Sequence, residues 1–134
     1  MKYILLMQSP VGAWKTDAIG LWPPDDVKRH VAFLRVWSQK LTESGELVGT
    51  QGLAGWETAR LVTATGDKAS TVTDGPFPES KEFLAGYSLI DVETPARAYE
   101  IAASLSRAPG PGGKPLYIPI EVRPVMTEMP GHGG

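Results

Sequence analysis

Apolar and polar positions follow two different periods along this chain. Tyr3-Ile-Leu-Leu-Met-Gln8 is an almost unbroken apolar run closed by Ser9-Pro10, the pattern of a strand buried on both faces. Further on the period lengthens. Val27, Val31, Leu34, Ser38 and Leu41 recur at helical spacing, widened by Phe33 and Trp37, which predicts an amphipathic helix over residues 25–44. Trp22-Pro-Pro-Asp-Asp26 opens it. The prolines restrict the approach, and Asp25 is placed to accept hydrogen bonds from the first unpaired amides and to favour the positive end of the helix dipole. Gly45 ends the helix.

A Gly-rich passage follows, and then two β-rich runs, Thr58–Thr65 and Lys68–Thr73, joined by Gly66-Asp67. That dipeptide supplies the positive φ of a tight hairpin turn. After a short helical turn at Glu79–Leu84, the segment Gly86–Val92 reads as a strand. Thr94-Pro95 has the cap-then-proline order of a helix start, with Ala98, Ile101, Ala102 and Leu105 on the core face. Residues 109–115 form a loop, and Leu116–Val122 a last strand whose Pro119 cannot donate to a ladder and so implies an edge or a bulge. Residues 127–134 have no periodicity and read as a flexible tail.

The order β, α, β-hairpin, β, α, β predicts an α+β fold: a ferredoxin-like split βαβ sandwich, with an antiparallel sheet and two helices on one face. A single domain over residues 1–126 suits a chain of 134 residues. The helices leave the other sheet face uncovered, and if it is apolar a second copy is its natural cover. The topology therefore predicts a homodimer.

Composition narrows the function classes. The net charge of −2 comes from dispersed Lys, Arg, Asp and Glu, without the basic run that would neutralise successive phosphates, so a nucleic acid is not an expected partner. The chain contains no Cys, which removes a thiolate nucleophile, a zinc-thiolate site and a disulfide framework. The apolar start is too short for a secretory core, and no segment reaches the roughly 18 apolar residues of a membrane span. A cytoplasmic protein without a membrane partner is the expectation.

The chemistry-bearing residues gather around Asp74-Gly-Pro-Phe77. Asp74 can bond its own downstream amides as an Asx-turn. Alternatively it is a carboxylate at a strand end beside Glu79 and Lys81, able to take a proton or bind a ligand donor. Asp26 and His30 stand four residues apart on the first helix, where a carboxylate can reach and orient an imidazole, as a catalytic pair or as a surface ion pair. Two histidines far apart, His30 and His132, argue against a metal site, and no cofactor is implied. Gly49-Thr-Gln-Gly52 lacks the spacing of a phosphate loop and reads as a turn, with Gln51 a candidate donor to a cleft. Phe77, Phe83, Trp37, Trp56 and Tyr87 read as packing, with the Tyr87 hydroxyl also a candidate for a cleft.

Met1-Lys-Tyr-Ile-Leu-Leu-Met7, Gly45-Glu-Leu-Val-Gly49, Thr73-Asp-Gly-Pro-Phe-Pro-Glu-Ser-Lys81, Gly86-Tyr-Ser-Leu-Ile-Asp-Val92 and Ile120-Glu-Val-Arg-Pro-Val-Met126 together resemble the YCII-related family in its DGPF branch. The resemblance implies a dimeric α+β barrel with a cleft in each subunit. It also implies a small organic ligand with acid/base chemistry of an isomerase or lyase kind, or else a non-catalytic module linked to an extracytoplasmic-function sigma factor. On the first reading Asp74 or His30 is the acid/base, and Gln51, Lys81, Tyr87 and Glu79 bind the ligand. In the shorter YCII branch the suggested active His lies about one turn further along the first helix, near Leu34 here, so its His-Asp pair does not carry over. The family also often has an acidic residue at Gln51 and an aromatic at Ser88.

Overall fold

The computed structural model describes residues 1–10, 21–74 and 82–127. The described residues form six strands and two α-helices in the order β1 (Lys2–Pro10), α1 (Pro24–Glu43), β2 (Leu47–Gly52), β3 (Arg60–Thr65), β4 (Lys68–Asp74), β5 (Glu82–Asp91), α2 (Pro95–Ser106) and β6 (Ile120–Pro124). Four strands form one sheet in the order β2-β5-β1-β6, and β3 and β4 pair separately. Every pairing is antiparallel. This is the expected α+β class, and a ferredoxin-like arrangement suits it.

The apolar run at the start becomes a central strand. β1 pairs with β5 on one side and β6 on the other, and Leu5 and Ile90 are its best buried side chains and those of its neighbour. Each contributes roughly 1.5–3 kcal/mol by leaving water. The register Tyr3↔Ile90, Leu5↔Ser88 and Leu5↔Val122 places these residues on one face. There they meet Trp37 and Leu41 of α1 and Ala98, Ile101, Ala102 and Leu105 of α2.

Both helices begin one residue before or at the predicted position. Thr94 caps α2 as expected, its Oγ1 accepting from the Arg97 amide at 3.2 Å. The cap of α1 differs. Asp25 makes no capping bond; Pro23 stands at the cap position, and its carbonyl accepts from the Asp26 and Val27 amides. Asp25 and Asp26 fall inside the first turn, where they still favour the dipole. Gly45 adopts φ +79° just beyond the helix, as a terminating glycine should. The Trp37 indole donates to Ser104 Oγ at 2.9 Å, tying α1 to α2.

Four expectations need correction. Residues 49–52, read as a turn, belong to an edge strand, Leu47–Gly52, that pairs with β5. The hairpin keeps its Gly66-Asp67 turn, with Gly66 at φ +59°, but does not join the main sheet. The last strand starts at Ile120, so Pro119 lies before the ladder rather than within it. Residues 82–84, assigned to a helical turn, are already strand in β5, while 79–81 lie outside the described residues.

Among the described residues, no helix is long and apolar enough to cross a membrane.

Candidate functional site

A cavity of about 730 Å³ opens between the sheet and the helix layer, within the roughly 300–1,000 Å³ typical of small-molecule sites. Its floor is the helix-facing side of β1, β2 and β5, including Leu5, Thr50, Gly86 and Ser88. Trp22, His30, Leu34 and Trp37 line it from α1 and its approach, and Leu116–Pro119 from the segment before β6.

His30 is the chemically distinctive group. Its Nδ1 lies 2.9 Å from the carbonyl oxygen of Pro109. A carbonyl can only accept, so Nδ1 carries the proton, and in the neutral ring Nε2 is left as an acceptor. The edge of the ring meets Trp22, with centroids 5.4 Å apart and planes at 88°. The predicted partnership with Asp26 does not form, because Asp26 accepts from Arg29 at 3.2 Å instead. A main-chain carbonyl, not a carboxylate, therefore orients the imidazole. Leu34, one turn beyond His30, lines the same cavity.

Ser88 is the buried polar residue of the floor, 3% exposed. Thr50 Oγ1 donates to the Tyr87 carbonyl at 3.1 Å and lies 2.7 Å from Ser88 Oγ. With the Thr50 proton committed to that carbonyl, Ser88 must supply the proton shared between the two hydroxyls. The Ser88 oxygen keeps acceptor capacity at the cavity floor. A large aromatic at position 88 would occupy space that Ser88 leaves open. Gly86 matters for a related reason: a Cβ there would meet Gln51 O at 3.0 Å and Gly52 Cα at 3.4 Å.

The structure brings three of the six sequence-derived candidates, His30, Gln51 and Tyr87, to one cavity. Gln51 pairs with Tyr87 in register, next to the Thr50–Ser88 pair. Strand alternation sends the two side chains to the opposite sheet face from Ser88. Asp74 ends the hairpin opposite Arg60. Glu79 and Lys81 lie outside the described residues. Ser88, Thr50 and Tyr117 are cavity residues that were not read as site residues. Only the departure from the family pattern at Ser88 could have pointed to one of them.

Tyr117 carries a positive φ of 51°, the one non-glycine with this conformation among the described residues. Its neighbours are pinned. The Leu116 amide donates to Ala108 O at 2.9 Å, and Ser106 Oγ donates to Ile118 O at 2.8 Å.

No group of three or more His, Cys, Asp or Glu that could hold a metal ion occurs among the described residues. A bidentate ion pair lies in the family-like segment after α1, where Arg97 Nε and Nη2 each reach a Glu46 carboxylate oxygen at 2.9 Å. The Arg97 bonds and one from Ser44 hold the Glu46 carboxyl down at about 2, and Glu46 in turn holds Arg97 above its ordinary value. This pair joins the β2 entry to the first turn of α2.

The family model of the YCII-related domain matches residues 1–110. An uncharacterized protein of Rhizobium meliloti (strain 1021) is 31% identical over 110 residues, covering 82% of this chain and 84% of that protein. The cavity segment Leu116–Pro119 falls beyond the matched span.

Proposed function

The chain belongs to the YCII-related family, and from that footing we propose that it binds a small organic molecule in the cavity between α1 and the sheet, with His30 as its acid/base group. The observation that supports this is the pairing of an open cavity of about 730 Å³ with a wall imidazole whose tautomer is set by Pro109. With Nδ1 donating to the carbonyl, Nε2 is the nitrogen able to accept a proton from a bound carbon or hydroxyl acid. The imidazolium so formed keeps its bond to Pro109 and can return the proton elsewhere on the same molecule, which is the step of an isomerase, or to a leaving group, which is that of a lyase.

A mixed metabolite library screened by thermal shift, with product analysis on every hit, tests the reading. Binding should be lost in Ser88→Phe, which fills the floor, provided that variant still melts cooperatively. Turnover of a hit should fall about 100-fold or more in His30→Gln. A library without a single hit on the wild-type protein defeats the reading.

A second reading, a non-catalytic sensing module linked to a sigma-factor regulator, draws support from Asp26, which Arg29 engages and which therefore does not pair with His30. Hits that stabilise the protein and are never consumed would favour it.

We also propose a homodimer through the sheet face opposite the helices. By strand alternation that face carries Ile4, Leu6, Tyr87 and Leu89, with Val48, 51% exposed, on the edge strand. Sedimentation equilibrium at micromolar concentration should give twice the chain mass, and a monomer would rule the dimer out.

A further inference from the structure

Building on the reading of the cavity as a small-molecule site, we propose that its ligand is an uncharged, flat, largely apolar compound bearing a hydrogen-bond-donating hydroxyl, phenol-like in its chemistry, and that Tyr117 closes against it.

Charge is the first argument. None of the described residues lining the cavity is Lys, Arg, Asp or Glu. A carboxylate or phosphate entering here would shed water without meeting a lysine or arginine among the described residues of the wall, and that desolvation is costly. A neutral molecule loses little by the same transfer, and the Leu, Met, Ile and Trp side chains of the wall reward its apolar surface.

Hydrogen-bonding sense is the second argument. Nδ1 of His30 is committed to Pro109 O, which leaves Nε2 as an acceptor in the neutral ring. The Ser88 proton goes to Thr50, whose own proton goes to Tyr87 O, so Ser88 also presents an acceptor. Ser38 adds a hydroxyl that can take either role. The two oriented groups of the site thus call for a donor, which an alcohol or phenol supplies and a deprotonated acid does not.

Shape is the third. Trp22, Trp37 and Tyr117 all line the cavity, and their faces and edges suit a planar ring. Tyr117 is 68% exposed, yet it is held in left-handed backbone between two anchored neighbours. Such a conformation is strained for a residue that carries a β-carbon. A large exposed aromatic kept in it at a cavity wall, beyond the family-matched span, is placed to cover a bound ring.

The test uses three matched probes, 2-naphthol, 2-methylnaphthalene and 2-naphthoate, titrated calorimetrically at pH 7 into the 134-residue protein. The neutral hydroxylated probe should bind about fivefold more tightly than 2-methylnaphthalene and about tenfold or more above 2-naphthoate. Its advantage over 2-methylnaphthalene should shrink to less than about twofold in His30→Phe, and in part in Ser88→Ala. Tyr117→Ala should weaken both neutral probes about fivefold without changing their order. Equal or tighter binding of 2-naphthoate, or a hydroxyl preference that survives His30→Phe, overturns the proposal. Library compounds that occupy the cavity while all three probes fail would sink the ligand class and leave the cavity reading standing. No hit of any kind would remove both.

Discussion

The ring of His30 and the carbonyl of Pro109 meet at 2.9 Å across 79 positions of sequence. This contact fastens the second turn of the first helix to the loop that follows the second helix, and it decides which imidazole nitrogen can do chemistry. In the neutral ring Nδ1 should hold the proton. Nitrogen-15 NMR of the protein at alkaline pH should show a pyrrole-like Nδ1 and a pyridine-like Nε2 for His30. The reverse assignment would show that the contact does not set the tautomer.

Glu46 makes stability depend on acid pH. Its carboxyl sits at about 2 in the folded chain against 4.5 ordinarily, through the hydrogen bonds from Arg97 and Ser44. A group whose value is depressed by folding stabilises the fold above its unfolded value, and that contribution drains away as pH falls from about 4.5 to about 2. Arg97 is 42% exposed, so solvent screening keeps the contribution on the order of 1 kcal/mol. Urea unfolding of Glu46→Gln against wild type should therefore differ by about that much at pH 7, with the gap narrowing steadily below pH 4.5. A gap that stays constant down to pH 3 would contradict the assignment.

Tyr117 should invert the usual ranking of alanine and glycine. At φ +51° alanine keeps the left-handed cost and glycine does not, so Tyr117→Gly should be more stable than Tyr117→Ala by about 1 kcal/mol. Denaturant midpoints of the two variants measure this directly, and an alanine variant that is the more stable would show that the backbone there is relaxed.

Gly86 is constrained by proximity rather than by φ. A methyl group would press on the Gln51 carbonyl and the Gly52 Cα of the edge strand, so Gly86→Ala should cost about 1–3 kcal/mol. Amide hydrogen exchange should speed up in β2 before it does in β1, because the edge strand is the element able to move away. Unchanged stability and unchanged exchange in β2 would count against so close an approach.

Much of this architecture was legible along the chain because it rests on local periodicity. The run Tyr3–Gln8, the stripe through Trp37 and Leu41, the Thr94 cap and the Gly66-Asp67 turn each carry their own signal within a few residues, and each forms as expected, except that Val31, read into the stripe, is exposed. Leu47–Gly52 carries no such signal. With two glycines, a threonine and a glutamine it lacks an alternating apolar pattern, and it is a strand because β5 offers it backbone partners. Asp25 had the residue type of a cap, yet the chain enters the helix one residue earlier, through Pro23 and Pro24.

The site divides along the same line. Sequence by itself determined the two helices, the central strands, the family and the residue types available for chemistry, because side-chain period and turn chemistry are short-range properties. Tertiary structure alone decided that His30 turns from Asp26 to Pro109, that Ser88 and Thr50 share a proton on the cavity floor, and that Tyr117 stands at its wall. Those relationships join residues brought together by sheet pairing and helix packing, and no local pattern encodes which distant carbonyl an imidazole will meet.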